Sequence, residues 1–195
     1  MTQLSFADAR QTLDLAISEF QRRLDLVTGS DWDRPTPCTG WSVRDLVAHL
    51  IGGSRMSELL LSGATSEEAL GVLFSLNIEG DPKALFAEGA VAQAAAFDAP
   101  GAPEQNCHHP LRDMPGAEFI WLRVRDTAIH AWDLATALEV DANLDHDLVD
   151  LLWTQVEPIA PFLSTSGMFG TGASGELPDD ARTQDRLLDA LGRRP

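Results

Sequence analysis

The side chains with the clearest chemical potential are histidines that lie near carboxylates. The chain has five histidines, His49, His108, His109, His130 and His146. Asp126 precedes His130 by four residues, and residues four apart share one face of a helix. A carboxylate and an imidazole on one face form a normal ligand pair for zinc and are compatible with other divalent metals. Asp126 and His130 are therefore candidate metal ligands.

A third candidate ligand lies in a different predicted helix. His49 stands at the edge of an apolar stripe that includes Leu46 and Leu50. Helical bundles often build metal sites from side chains on facing helices, and a carboxylate on an apolar stripe is costly unless it is paired or metal-bound. The pattern allows one divalent metal ion on His49, Asp126 and His130. Three protein ligands leave a position for water or substrate, as in catalytic zinc sites.

Each of these residues also has an ordinary structural explanation. His49 alone fits a hydrogen-bonded histidine at the edge of the core, and Asp126 with His130 fits a simple polar pair. His108 and His109 fall in a proline-bounded loop, and His146 falls at a helix start. These last three are predicted to be solvated.

Several neighbours of the candidate ligands have two interpretations each. Ligand histidines usually donate their other ring N–H to a partner behind them, and Asp45 or Asp133 could accept it. Alternatively, Asp45 caps its helix and Asp133 forms a surface pair. Trp41 and Trp132 either line a pocket above the metal or pack in the core. Cys38 is a fourth ligand, a thiol nucleophile or an ordinary loop residue.

The elements that must position these residues are helices. Apolar residues at spacings of three and four, with capping residues and breakers, predict helices over residues 5–27, 42–61, 84–97, 116–138, 145–163 and 180–191. Residues 66–97 are predicted to hold one or two helices with a break near residues 80–82, and Pro158 should disturb the fifth helix in that list. Gly52 and Gly53 weaken the second helix by about 1 kcal/mol each relative to alanine. A close helix crossing would explain both glycines.

Signals for β-strands are nearly absent. Residues 98–115 are irregular, with a short extended piece expected around Asn106 to His109. We therefore predict an all-α fold, a four-helix bundle with additional short helices. Residues 1–195 are predicted to form a single domain in which residues 178–195 are a C-terminal tail that packs on the bundle.

Composition excludes some functions. There are 30 acidic and 14 basic residues, a net charge of -16, which disfavours binding to nucleic acid and to anionic membranes. No stretch reaches the ~18 apolar residues of a membrane span, and the N-terminus has no signal-peptide pattern. Two cysteines, Cys38 and Cys107, are too few for a disulfide framework. The expected location is the cytoplasm.

Two inner motifs and the tail carry a family resemblance. Residues 36–50, TPCTGWSVRDLVAHL, resemble the opening motif of mycothiol-dependent maleylpyruvate isomerase N-terminal domains, part of the DinB/YfiT-like superfamily. Residues 125–135, RDTAIHAWDLA, resemble its second motif. Residues 179–194 are similar to the ending of a single-domain subgroup described as metal-binding. The resemblance implies the DinB/YfiT-like type of four-helix bundle.

The resemblance also implies a site. The metal ligands of that family map onto His49, Asp126 and His130, with zinc favoured and nickel, iron or manganese compatible. Mycothiol or a related low-molecular-weight thiol is the implied co-substrate. One departure is that Asp126 replaces the glutamate of the isomerase, which changes the reach of this ligand. Another is that the isomerase's C-terminal domain, which helps form its active site, has no visible counterpart here.

Three functional hypotheses follow. The first is a metal-dependent, thiol-dependent transferase or isomerase that acts on a small molecule. The second is a non-catalytic metal-binding bundle that senses a signal or binds a partner. The third is a helical interaction domain with no metal. A homodimer is left open.

Overall fold

The computed structural model describes residues 4–74, 78–163 and 172–195. α-Helices dominate these residues, which confirms the predicted all-α class, and the only strands among them form one short hairpin. The elements, in chain order, are α1 (Phe6–Leu24), α2 (Val43–Leu61), α3 (Ser66–Phe74), α4 (Pro82–Phe97), β1 (Asn106–His109), β2 (Arg112–Pro115), α5 (Gly116–Leu138), α6 (His146–Val156), α7 (Ala160–Leu163) and α8 (Thr183–Ala190), with short 3-10 turns at Gly29–Asp33 and Glu157–Ile159. The chain divides into two units, Met1–Val140 and Asp141–Pro195.

Four long helices form a bundle in the first unit. α1 packs against α5 and α4, and α2 packs against α4 and α5, so the four helices contact one another in a closed ring. Fully buried apolar side chains from all four helices fill the space between them, among them Phe20, Leu50, Phe97 and Ile120. α3 lies against α2.

Capping boxes begin α1 and α2. Ser42 accepts a hydrogen bond from the backbone N–H of Asp45, and the Asp45 carboxylate accepts from the backbone N–H of Ser42. Ser5 and Asp8 do the same for α1. Such reciprocal bonds satisfy two otherwise unpaired donors at a helix start. The predicted starts of both helices are thus confirmed.

The first helix is shorter than predicted. It ends at Leu24 instead of Val27, because a new turn begins just beyond it. The side chain of Asp31 accepts hydrogen bonds from the backbone N–H and the hydroxyl of Thr28. Val27 is still buried at 2% exposure. Its position in the apolar pattern therefore results from its burial beyond the end of the helix.

A hairpin precedes α5. β1 pairs antiparallel with β2, with Cys107 opposite Met114, so the predicted extended piece at Asn106–His109 is confirmed and gains a partner strand. At the start of α5, a Cβ on Gly116 would lie 2.0 Å from the carbonyl oxygen of Ala102. Only glycine allows this approach of the chain to the helix start.

α5 is the central helix and has the predicted bounds. Its buried residues lie on nearly every side, among them Phe119, Val124, Ala128 and Leu134. This is typical of a helix surrounded by others.

The second unit contains α6, α7 and α8, with α8 packed against α6. The predicted disturbance at Pro158 is confirmed, because a 3-10 turn over Glu157–Ile159 separates α6 from α7. The last helix is shorter than predicted. The glycines and other small residues of 164–174 predict a flexible segment, and most of this segment lies outside the described residues. The single domain, with residues 178–195 packed on the bundle, stays a prediction.

Among the residues that the structure describes, no helix combines the length and the apolar character that crossing a membrane requires.

Candidate metal centre

Three side chains from α2 and α5 meet at one point. Nε2 of His49 lies 3.2 Å from Oδ1 of Asp126, and Nε2 of His130 lies 3.4 Å from the same oxygen. The two imidazole rings are 5.0 Å apart and nearly perpendicular. Residues separated by 77 positions are thereby brought together. The structure unites the three residues that the sequence singled out.

A buried carboxylate orients His130 from behind. Nδ1 of His130 lies 2.9 Å from Oδ2 of Asp133, whose side chain has no exposed area. Because a carboxylate accepts hydrogen bonds, Nδ1 is the donor, and Nε2 faces Asp126. The structure thus contains the contact that the predicted partner role of Asp133 requires, and its alternative as a surface pair is wrong.

Cys38 belongs to the same cluster. Its Sγ donates to Oδ2 of Asp133 at 3.3 Å and lies 3.8 Å from Nδ1 of His130. Cys38, His130 and Asp133 form a second group of ligand-type atoms beside the first. The loop before α2 therefore places Cys38 beside the candidate ligands, which disfavours its interpretation as an ordinary loop residue.

The far side of Asp126 is held by an arginine. Nη1 of Arg123 donates to Oδ2 of Asp126 at 2.7 Å, and Nε of Arg123 donates to Oε1 of Gln93 at 2.8 Å. The hydroxyl of Ser57 donates to the same Gln93 oxygen at 2.9 Å. The Arg123 side chain is 4% exposed, so a buried network from α2 and α4 supports the carboxylate on α5.

The two glycines of α2 have different neighbours. A Cβ on Gly53 would lie 2.4–2.6 Å from the guanidinium atoms of Arg123, whereas a Cβ on Gly52 would lie 3.3 Å from Cδ1 of Leu73. Both glycines therefore mark close approaches, as predicted. Gly52 allows α3 to approach, and Gly53 leaves the space that Arg123 occupies.

The charges of the site reinforce each other. Burial works against the charge of Asp126, but the adjacent His49 and His130 outweigh it and hold the pKa of Asp126 well below its usual value. Burial likewise opposes the charge of His130, but Asp126 and then Asp133 raise its pKa well above the usual value. Asp126 thus favours the protonated form of His130, and a metal ion that binds there has to displace this proton.

One side of the site is open. The side chains of His49 and Asp126 are 23% and 21% exposed, whereas that of His130 is 8% exposed. The half-buried ring of Trp41 lies 5.0 Å from His49 and 5.9 Å from His130. Trp41 therefore borders the open side, as its pocket-lining interpretation predicts, and a small molecule could approach there.

Other predicted residues lie elsewhere. Asp45 serves the α2 cap, and Trp132 is buried at 7% exposure, as expected for core packing. His146 is 84% exposed, as predicted. The side chain of His108 is 45% exposed, and its Nδ1 lies 3.0 Å from Oδ1 of Asp113.

The solvated prediction for His109 is wrong. The half-buried ring lies 5.6 Å from that of Phe119, and its Nδ1 accepts the backbone N–H of Leu111. Burial, with contributions from Arg123 and Arg112, lowers its pKa to about 4. The error arose because the irregular sequence around Pro110 hid a hairpin that places this ring against α5.

Sequence reasoning missed Arg123 and Gln93. Arg123 stands three residues before Asp126, a spacing that does bring side chains together on a helix. That spacing, with the glycine pair in α2, was the available signal. Gln93, within the alanine-rich helix α4, gave none.

Comparison with known proteins decides the family. The family described as mycothiol maleylpyruvate isomerase N-terminal domain matches residues 13–135. The chain belongs to this family.

The match covers all four bundle helices in whole or in part, and it includes every residue of the site described above. Uncharacterized proteins from two strains of Mycobacterium tuberculosis are 36% identical to the chain over 119 residues. That match covers 58% of this chain and 58% of each relative, so it leaves a large part of the relatives' length unmatched.

Two solved structures share the fold of this family member. They are crystal structures of the mycothiol-dependent maleylpyruvate isomerase and of a mutant of it, each with a TM-score of 0.61. The similarity covers 80% of this chain and 72% of the solved chain, at 20% and 19% identity respectively. The predicted DinB/YfiT-like type of bundle is thus confirmed.

The ligand atoms of this family member fit a metal ion. Ligands bound to zinc at about 2.0–2.2 Å with tetrahedral angles are about 3.3–3.6 Å apart. The 3.4 Å between Asp126 Oδ1 and His130 Nε2 falls within this range, and the 3.2 Å to His49 Nε2 is just below it. The donor set, two imidazoles and one carboxylate, is compatible with zinc and with other divalent first-row metals. His49, Asp126 and His130 are the residues that would hold it.

Proposed function

We propose that the protein binds one divalent metal ion on His49, Asp126 and His130 and uses it in a thiol-dependent transferase or isomerase reaction on a small molecule. The observation that carries the proposal is the convergence of three ligand atoms beside an open, tryptophan-bordered face. Membership of the mycothiol maleylpyruvate isomerase N-terminal domain family supports a low-molecular-weight thiol as the co-substrate. Zinc is the favoured metal, with nickel, iron or manganese as compatible ions.

The residues around the ligands have distinct tasks in this proposal. A divalent cation here would supply Lewis-acid chemistry, lowering the pKa of a thiol or water that approaches from the open side. Asp133 holds the ring of His130, with Nδ1 as donor, so that Nε2 faces Asp126. Trp41 borders the space above the two imidazoles, where it would limit the volume available to a substrate and exclude bulk water.

The proposed setting is the cytoplasm. Membership of a mycothiol-related family supports this setting, because low-molecular-weight thiols are kept reduced there. A homodimer stays a prediction.

Two measurements test the proposal. The first is metal content of untagged protein by mass spectrometry, where one equivalent of a divalent metal is expected. The second is turnover with mycothiol or a related thiol and a panel of small electrophiles, before and after removal of the metal by a chelator. We expect turnover that disappears on removal and returns when the metal is restored.

The outcomes separate the hypotheses. Equal turnover after complete metal removal would disprove the proposed chemistry. One equivalent of metal with no thiol-dependent turnover would favour the non-catalytic alternative, a metal-binding bundle that senses a signal or binds a partner. Absence of bound metal under saturating conditions would leave only a helical interaction domain.

A further inference from the structure

Hydrogen bonds hold the guanidinium of Arg123 on two sides, in front towards Asp126 and behind towards Gln93. In front, Nη1 donates to Oδ2 of Asp126 at 2.7 Å. Behind, Nε donates to Oε1 of Gln93 at 2.8 Å, and that oxygen also accepts the hydroxyl of Ser57 at 2.9 Å. A planar guanidinium with fixed donors transmits such an orientation rigidly, in contrast to a flexible ammonium group.

The two oxygens of Asp126 consequently have separate partners. Oδ2 is engaged by Arg123, whereas Oδ1 faces Nε2 of His49 at 3.2 Å and Nε2 of His130 at 3.4 Å. Rotation of the carboxylate to present both oxygens to the histidines would break a charge-assisted bond to a group that is 4% exposed. Such a loss is unfavourable because a buried charge left without its partner is strongly destabilising.

We propose that Arg123 is a positioning residue that restricts Asp126 to binding the metal through Oδ1 alone. The inference rests on the proposed metal-binding function and adds the coordination mode of one ligand to it. A one-oxygen carboxylate keeps an additional position on the metal available for a thiol or water. The short aspartate side chain is thus anchored to Arg123 by Oδ2, while its Oδ1 reaches both imidazoles.

The absence of a side chain at Gly53 leaves the space that the Arg123 guanidinium occupies. A methyl group there would overlap the guanidinium, with Cβ distances of 2.4–2.6 Å to Nη1, Cζ and Nη2. The neighbouring Gly52 offers a matched control, since the three atoms nearest to a Cβ there all belong to Leu73, the first of them Cδ1 at 3.3 Å. Both changes raise helix propensity equally, so a difference between them reports the displacement of Arg123.

The test uses full-length protein loaded with Co²⁺, whose visible absorption is stronger at low coordination number. Arg123→Lys keeps the positive charge but loses the rigid fork that reaches Gln93 and Asp126 together. Gly53→Ala displaces the guanidinium from the opposite side. We expect both to weaken the Co²⁺ absorption and to raise the metal Kd by about 10–100-fold, the usual effect of disturbing a group behind a ligand. Gly52→Ala should match the wild type in both.

A wild-type measurement keeps the inference testable if both variants fail to fold. In a crystal structure of the zinc-loaded wild type, Oδ1 of Asp126 should bind the metal and Oδ2 should remain on Arg123. Both oxygens on the metal, or folded variants that retain the wild-type spectrum and Kd, would overturn the role of Arg123 while leaving the metal site intact. A wild type that takes up no metal would instead overturn the proposed function, and with it this inference.

Discussion

Two clusters of histidine and aspartate in this molecule have similar composition and opposite surroundings. His49, Asp126 and His130 come from two packed helices, and the His130 side chain is 8% exposed. Asp145, His146 and Asp147 are consecutive residues at the start of α6, and the side chains of His146 and Asp147 are 84% and 72% exposed. Both clusters bring ligand-type atoms close together.

Their difference lies in what else holds the side chains. In the first cluster, Asp133 fixes His130 and Arg123 fixes Asp126, so the ligand atoms have little freedom. In the second, Asp145 caps the helix by accepting the backbone N–H groups of Asp147 and Leu148. Water competes for exposed charges and weakens their interactions. Close spacing of ligand types thus indicates a site only where buried partners also constrain their geometry.

The largest expected effect follows from the loss of a metal ligand in the first cluster. Replacement of His130 by alanine removes a ligand, and we expect metal affinity to fall by more than about 100-fold, beyond the effect typical of a residue behind a ligand. Replacement of His146 by alanine is the control and should leave metal content unchanged. Metal content by mass spectrometry and Kd by chelator competition measure both. Loss of metal from the His146 variant alone would reverse the assignment.

The second prediction concerns the buried carboxylate. Asp133→Asn keeps the size of the side chain but removes its charge, so His130 loses the acceptor that orients its ring. We expect a metal Kd about 10–100-fold weaker. Asp147→Asn changes a carboxylate beside His146 in the exposed cluster and should have no effect on the Kd. Equal affinities in the wild type and the Asp133 variant would show that burial behind the ligand is not what distinguishes the clusters.

The third prediction concerns the effect of burial on the pKa of His109, a histidine outside both clusters. The folded-state pKa of His109 is about 4, below the usual 6.5, so on acidification the unfolded chain binds this proton first. The metal-free protein should therefore lose stability between pH 6.5 and pH 4, by about 2 kcal/mol after allowance for partial exposure. His109→Gln should remove this part of the slope in urea unfolding curves at several pH values.

His108→Gln is the matched control on the same strand, because the His108 side chain is 45% exposed. It should keep the acid-dependent loss of stability. If both variants show the wild-type slope, the burial of His109 does not govern its protonation.

The smallest expected effect is one that the two regions share. Asp45 and Asp145 each bind backbone N–H groups at a helix start. Asp45→Ala and Asp145→Ala should each lower the free energy of unfolding by about 1 kcal/mol, with metal affinity unchanged. Thermal or urea unfolding measures the loss. A large drop in metal affinity in the Asp45 variant would mean that Asp45 acts on the site as well as on the cap.

Much of the fold followed from local sequence patterns. The bounds of α5, the starts of α1 and α2, and the break between α3 and α4 all depend on neighbouring residues, which is why spacing and capping rules predicted them. The end of α1 was placed too late because Val27 is buried beyond the helix. Spacing alone cannot distinguish these two causes of an apolar residue.

The site was predictable in part for the same reason. Asp126 and His130 meet because they are one turn apart on one helix, whereas the contribution of His49 depended on a family resemblance. Arg123 was missed because its position depends on the space above Gly53 and on Gln93 from a third helix. Such contacts arise only when the helices pack. Whether the assembled residues bind metal stays a prediction.

The position of Trp41 beside the candidate ligands makes its fluorescence sensitive to what binds there. Its indole ring lies 5.0 Å from His49 and 5.9 Å from His130, within the range at which a charged imidazolium quenches indole emission. A cation or thiol that enters beside it will change the intensity or colour of that emission. Occupancy of the site can thus be followed by fluorescence in unlabelled protein. Trp41→Phe, which keeps the other four of the five tryptophans, is the control that should lack the response.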